Sequence, residues 1–127
     1  MRAVTDEFGT KHWPVEIRVK SAEKRLEIDF DDGRNFALPA ELLRVESPSA
    51  EVQGHGPGGK TLVPGKRNVG IAGVDAVGNY AIRIRFDDGH DTGIFSWTYL
   101  RELGERQDEI WNAYLAALAS RGLSRDN

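Results

Sequence analysis

The chain has 127 residues, with 17 lysines and arginines against 20 aspartates and glutamates, a formal net charge of -3, and no cysteine. That balance gives no electrostatic footprint for nucleic acid, whose phosphates demand clustered basic charge. The lack of cysteine removes disulfides, thiolate metal sites, iron–sulfur ligation and a cysteine nucleophile together.

In chain order, 1–12 is polar and without periodicity and reads as a flexible N-terminus. Its start has no apolar stretch of signal-peptide length. The longest small-and-apolar run, 113–119, is far too short to span a bilayer, so a soluble, cytoplasmic protein is expected, with no membrane partner. Trp13-Pro14 opens a strand over Val15–Lys20, Ser21–Lys24 turns the chain, and Arg25–Phe30 alternates again with Leu26, Ile28 and Phe30 inward. Period-two alternation means one buried and one solvated sheet face, the habit of antiparallel sheets. Asp32-Gly33 marks a hairpin turn, because glycine tolerates the positive φ such turns need. A helical phrase, Leu38–Arg44, follows, with Pro39 in its first turn.

The stretch 47–67 is rich in glycine and proline and shows no period, so it reads as a long loop of functional or irregular character. Strands resume over Asn68–Val74 and Tyr80–Phe86, and Asp88-Gly89 makes a second hairpin turn. Ser96 is placed to cap a helix over Trp97–Leu103, with Gly104 as its stop signal. From Glu105 a last helix is expected, its stripe of Ile110, Trp111, Tyr114, Leu115 and Leu118 laid over the protein's own sheet.

These elements spell one phrase twice. Leu26–Gly33 recurs in altered form as Ile82–Gly89, and each copy runs strand, Asp-Gly turn, strand, short helix. The expected fold class is α+β: a twisted antiparallel sheet built from an internal strand-turn-strand-helix repeat, with short helices and a C-terminal amphipathic helix. The copies differ after the turn, where Arg34 stands in the first and His90 in the second.

Three patterns bear on chemistry. Gly54, four residues and Gly59-Lys60-Thr61 spell a P-loop, but that motif needs a helix behind it, and Pro64-Gly65 forbids one. Lys60, Lys66 and Arg67 lie close in sequence as a local basic group. His90 stands beside Asp87, Asp88 and Asp91, a combination that can hold a divalent cation, with His55 as the natural second ligand if the loop folds back. No serine, cysteine or lysine is marked out beside His90 as a nucleophile. The recurrence of Asp31-Asp32 as Asp87-Asp88 argues for a structural job at both turns.

The segments Phe86–Trp97, Leu38–Arg44 and Ser47–His55 resemble a widespread bacterial family of unknown function that is similar to the amino-terminal domain of gamma-butyrobetaine hydroxylase. The resemblance covers 14–104. In the hydroxylases that domain precedes the oxygenase domain and binds zinc, through cysteines just after the counterpart of Leu42-Leu43-Arg44 and a histidine matching His90. Here the cysteine segment reads Val45-Glu46-Ser47-Pro48-Ser49-Ala50, and the histidine remains. Related domains occur fused to P-loop ATPases that carry iron–sulfur clusters. The resemblance implies a domain over 13–104 with 105–127 packing on it.

The function expected is a non-enzymatic binding or accessory module acting through a protein partner, by analogy an iron–sulfur carrier ATPase. The alternative is a zinc or iron protein using His90, with His55, Asp91 and loop residues. The resemblance also implies that 46–50 lies beside His90, so that Glu46, Ser47, Ser49 and Lys60 line one site with it.

Overall fold

The computed structural model of the chain describes residues 11–54 and 60–126. Strands β1 (Pro14–Lys20), β2 (Arg25–Phe30) and β3 (Asn35–Pro39) form one antiparallel sheet in the order β1-β2-β3, followed by helix α1 (Ala40–Val45). A short helix α2 (Ala50–Gln53) comes next. Strands β4 (Ile71–Val77), β5 (Ala81–Phe86) and β6 (Gly93–Ser96) form a second sheet, β4-β5-β6, followed by α3 (Trp97–Glu105) and α4 (Gln107–Ser120). The fold is α+β, with one three-stranded sheet for each copy of the repeat.

The repeat persists in single hydrogen bonds. Phe30 N–H donates to Arg34 O and Phe86 N–H to His90 O across the two turns. Asp31 N–H donates to Trp13 O and Asp87 N–H to Gly70 O. Where each helix begins, Ala40 N–H reaches Lys24 O and Trp97 N–H reaches Tyr80 O. Both first strands carry a register irregularity near their start, at Pro14/Glu16 and at Ile71/Gly73. Gly33 and Gly89 adopt φ of +87° and +92°, the left-handed conformation that the Asp-Gly turns require.

Alternation puts Leu26, Ile28 and Phe30 of β2 and Ile82, Ile84 and Phe86 of β5 into one shared core, with Leu42, Leu43, Phe95, Leu100 and Leu103. The outward residues of the first sheet pair in charge across the strands: Arg18 bonds Glu27 at 3.2 Å and Asp29 at 3.0 and 3.1 Å. Tyr114 and Leu118 of α4 pack on Val45 in a smaller cluster, while Ile110 and Trp111 lie against the main core. The chain then turns back. Ser124 O and Arg125 O accept from Gly65 and Arg67 N–H, and Arg125 forks onto the buried Glu41 carboxylate at 2.7 and 2.9 Å. No helix among the described residues is long and apolar enough to cross a membrane.

Several sequence expectations need correction. Gly104 does not stop a helix. It lies inside α3, where an added Cβ would fall 2.5 Å from the Phe36 ring, so its role is close approach of helix and strand. Pro39 is the residue before α1 rather than within its first turn. The stretch 47–67 contains α2, and β4 starts at Ile71 rather than Asn68, because 66–69 is taken up by a turn. Ser96 does cap α3, its hydroxyl accepting from Tyr99 N–H at 3.1 Å.

Candidate functional site

The two turns are tied together crosswise. Arg101 of α3, in the second copy, forks onto Asp32 of the first turn at 2.7 and 3.0 Å. Arg44 of α1, in the first copy, donates to Asp88 of the second turn at 2.8 Å. Each copy's helix thus grips the other copy's turn, which explains why the acidic turn and the helical arginine both recur. The Arg101 bonds hold the Asp32 carboxyl far below the usual carboxylate range. Burial pushes Asp88 upward, but bonds from Lys66, the His90 amide and Arg44 outweigh it and bring Asp88 down to about 2.

At the second turn His90 is buried rather than a strand residue facing solvent. Its Nδ1 lies 3.4 Å from Glu51 Oε2, and its Nε2 lies 2.9 Å from Ser47 Oγ and 3.3 Å from Ser49 Oγ. The carboxylate on Nδ1 assigns the proton there, so Nε2 accepts from the serine hydroxyls. Burial first, then the Arg44 charge, lowers the His90 pKa against the opposing pull of Glu51 and Asp88, and the ring is neutral at pH 7. This order of groups is that of a serine–histidine–carboxylate relay, and the sequence had marked no serine beside His90. Yet Ser47 is fully buried, and Gly93 packs so closely that a Cβ there would fall 2.2 Å from Ser47 Oγ. A substrate carbonyl has no approach to that hydroxyl, so the relay geometry carries no hydrolysis.

The residues singled out from the sequence divide. Ser47 and Ser49 meet His90. Glu46, also buried, instead takes Lys60 Nζ on Oε1 at 2.6 Å and accepts Tyr99 O–H on its carbonyl at 2.5 Å. Asp91 is exposed, and the carboxylate facing the imidazole is that of Glu51. His55 lies outside the described residues. Residues 60–70 form no helix, as Pro64-Gly65 requires. Lys60, Lys66 and Arg67 do not pool their charge: they pair with Glu46, Asp88 and Asp126 respectively.

A zinc site of the thiolate kind does not fit around His90. Ser47 and Ser49 offer neutral hydroxyls, already bonded to the nitrogen that a metal would need. The one grouping of three metal-competent side chains among the described residues lies at the other turn. One ligand atom each from His12, Asp31 and Asp32 falls within 4.8 Å of the others, and His12 Nδ1 is 3.7 Å from Asp32 Oδ2. The cluster is open to solvent, and Asp32 shares its oxygens with Arg101.

Sequence reading missed His12 and Glu51. Extending the pairing of Pro14 with Phe30 backwards brings residue 12 over the Asp31-Asp32 turn, so strand register carried the signal for His12. Glu51 follows Ser49 by two residues on α2, and only a recognised helix there would have turned it toward the second turn.

Residues 17–101 match the model of a family described as gamma-butyrobetaine hydroxylase-like, N-terminal. Two proteins with NMR solution structures are 50% and 45% identical, each with a TM-score of 0.80. The first match covers 92% of this chain and 92% of that one, and the second 97% and 91%. A crystal structure of a protein of unknown function of the DUF971 family, from Acidithiobacillus ferrooxidans, is 42% identical, with a TM-score of 0.61 over 72% of this chain and 91% of that one. No curated protein compared with the chain matches it.

Proposed function

The chain belongs to the gamma-butyrobetaine hydroxylase-like N-terminal family, and on that premise we propose that it is a non-enzymatic module that binds zinc or ferrous iron at its first Asp-Gly turn. The matched portion is the amino-terminal, non-catalytic one. The observation that carries the reading is the convergence of His12, Asp31 and Asp32 ligand atoms within 4.8 Å. One imidazole nitrogen and two carboxylate oxygens suit a borderline divalent ion, with water completing the shell. Asp32 shares its oxygens with the Arg101 guanidinium, which weakens them as donors to an ion, so the site is weak and exchangeable. That suits holding an ion in passing better than building a fold around it.

Calorimetric titration with zinc, and with ferrous iron under anaerobic conditions, tests the proposal on wild type, His12→Ala and His90→Ala. Loss of binding in His12→Ala with retention in His90→Ala supports it. The reverse pattern moves the ion to His90, and a flat wild-type titration removes metal binding altogether.

A second reading, an accessory module for a protein partner such as an iron–sulfur carrier ATPase, is favoured by the sheet edges. Val15 on β1 and Ile94 on β6 are 70% and 46% exposed, and both strands are edges of their sheets. Open edges with apolar side chains are receptive to added strands. Val15→Asp and Ile94→Asp should abolish co-purification with such an ATPase while leaving zinc binding intact; unchanged co-purification would count against the edges.

A further inference from the structure

The segment after α4 folds back along that helix through Gly122, at φ +65°, and seats one side chain in a hollow built by other parts of the chain. The Arg125 guanidinium forks onto Glu41 at 2.7 and 2.9 Å and lies 5.2 Å from the centre of the Trp111 ring. Only 7% of the Glu41 side chain is exposed. An arginine here is therefore held by a desolvated, two-pronged pair on an aromatic platform. The backbone beside it is held as well. Gly65 and Arg67 N–H donate to the Ser124 and Arg125 carbonyls at 2.9 and 3.0 Å, and Arg67 forks onto Asp126. Main-chain donors beside a pocket for one side chain are the means by which proteins recognise peptides.

Two observations separate this seat from a fixed strut. The segment leaves room: a hollow of about 290 Å³ remains beside Arg125, walled by Pro39, Leu42 and Trp111. The segment's own apolar residue, Leu123, is 40% exposed instead of filling it. The charge is also one-sided. Apart from Arg125 itself, the charged residues lining the hollow are Glu41 and Asp108, both acidic. With Arg125 lifted out, the groove presents two carboxylates and an indole face, with no cation among its described lining residues. An uncompensated buried carboxylate is costly, so Arg125 leaves readily only as another arginine arrives.

We propose that this groove is a docking site for an arginine-bearing peptide segment of a partner protein, and that residues 122–126 occupy it in cis until they are exchanged. The proposal does not rest on metal binding at the first turn, and its failure would leave that reading intact.

Amide-resolved NMR titration of the full chain with the end-blocked peptide Gly-Leu-Ser-Arg-Asp, the sequence of 122–126, tests it. Peptides with lysine or alanine in place of the arginine are the controls. On wild type the arginine peptide should send the 124–126 amides to unstructured positions, while those of Glu41, Gly65 and Arg67 stay in place because the peptide repeats the contacts it replaces. Half-exchange is expected at about 1 mM, the effective concentration of a short tether. On Arg125→Ala the same peptide should give saturable shifts at Glu41, Gly65, Arg67 and Trp111, at about tenfold lower concentration. The lysine peptide, which cannot fork, should bind about tenfold more weakly, and the alanine peptide not at all. If Arg125→Ala does not fold, the wild-type titrations decide. Unmoved 124–126 amides at up to about 10 mM arginine peptide, shifts centred elsewhere, or equal effects of the arginine and alanine peptides would overturn the proposal. So would release of 124–126 that rises with the chain's own concentration in the absence of peptide, which would assign the groove to a second copy.

Discussion

The two Asp-Gly turns are the same piece of chain used twice, and they have diverged in how much water the histidine beside each one sees. Asp32 and Asp88 each close a turn through a glycine near φ +90° and each receive an arginine from the opposite copy. The first turn stays open: its histidine, His12, arrives from outside the repeat and sits 39% exposed beside Asp32. At the second turn the histidine is sealed by the segment that links the copies, which brings Ser47, Ser49 and Glu51 onto His90. A duplicated scaffold can therefore keep its hydrogen bonds and still offer different chemistry at equivalent positions. The arginines differ too. Arg101 uses its whole guanidinium on Asp32 and Glu105 and lies over the Phe30 and Phe36 rings, whereas Arg44 leaves a buried Nη1 without a partner among the described residues.

The largest effect should come from restoring thiolates at the sealed turn. The double variant Ser47→Cys/Ser49→Cys, placing two sulfurs on His90 Nε2, should bind zinc tightly. It should gain about 2.7 kcal/mol of stability at free zinc a hundredfold above the dissociation constant. Thermal melts with and without zinc check it, and a variant indifferent to zinc would show that the segment's position, not its chemistry, excludes the metal. Next in size is the arginine contrast. Arg101→Ala should lower the melting temperature by about 8 °C, and Arg44→Ala by about half that, since Arg101 loses aromatic packing as well as charge. Equal losses would break the distinction between the clamps. Gly104→Ala should cost about 2 kcal/mol by forcing a methyl into Phe36, measured by urea unfolding.

The smallest effect is in pH. His90 has a folded-state pKa below its usual 6.5, so the unfolded chain takes up the proton first. Its contribution to stability is complete above about pH 6.5 and declines as pH falls through that value, levelling once the lowered folded pKa is passed. Urea midpoints measured between about pH 8 and pH 5 should lose this slope in His90→Gln.

The strands, both turns and the Ser96 cap were legible because they depend on local rules: alternation, Asp-Gly and a hydroxyl ahead of a helix. The crosswise clamps were not, since Arg44 and Asp88 stand 44 residues apart and Arg101 and Asp32 stand 69 apart. Only docking of the two copies brings them together. The recurrence of Asp-Asp-Gly hinted at a structural task without naming the partner. Gly104 misled because a glycine near a helix end signals a stop unless the ring that needs its space, Phe36, is already placed. At the site, the family resemblance carried Ser47 and Ser49 to His90, while Glu51 depended on a four-residue helix with almost no periodicity to reveal it.

The central claim, that the open turn and not the sealed one takes a metal ion, is tested most directly by manganese broadening of amide NMR signals at substoichiometric ion. The account predicts broadening centred on His12 and 31–33, with 47–51 and His90 sharp. Broadening centred on 47–51 and His90, with the first turn untouched, would contradict it.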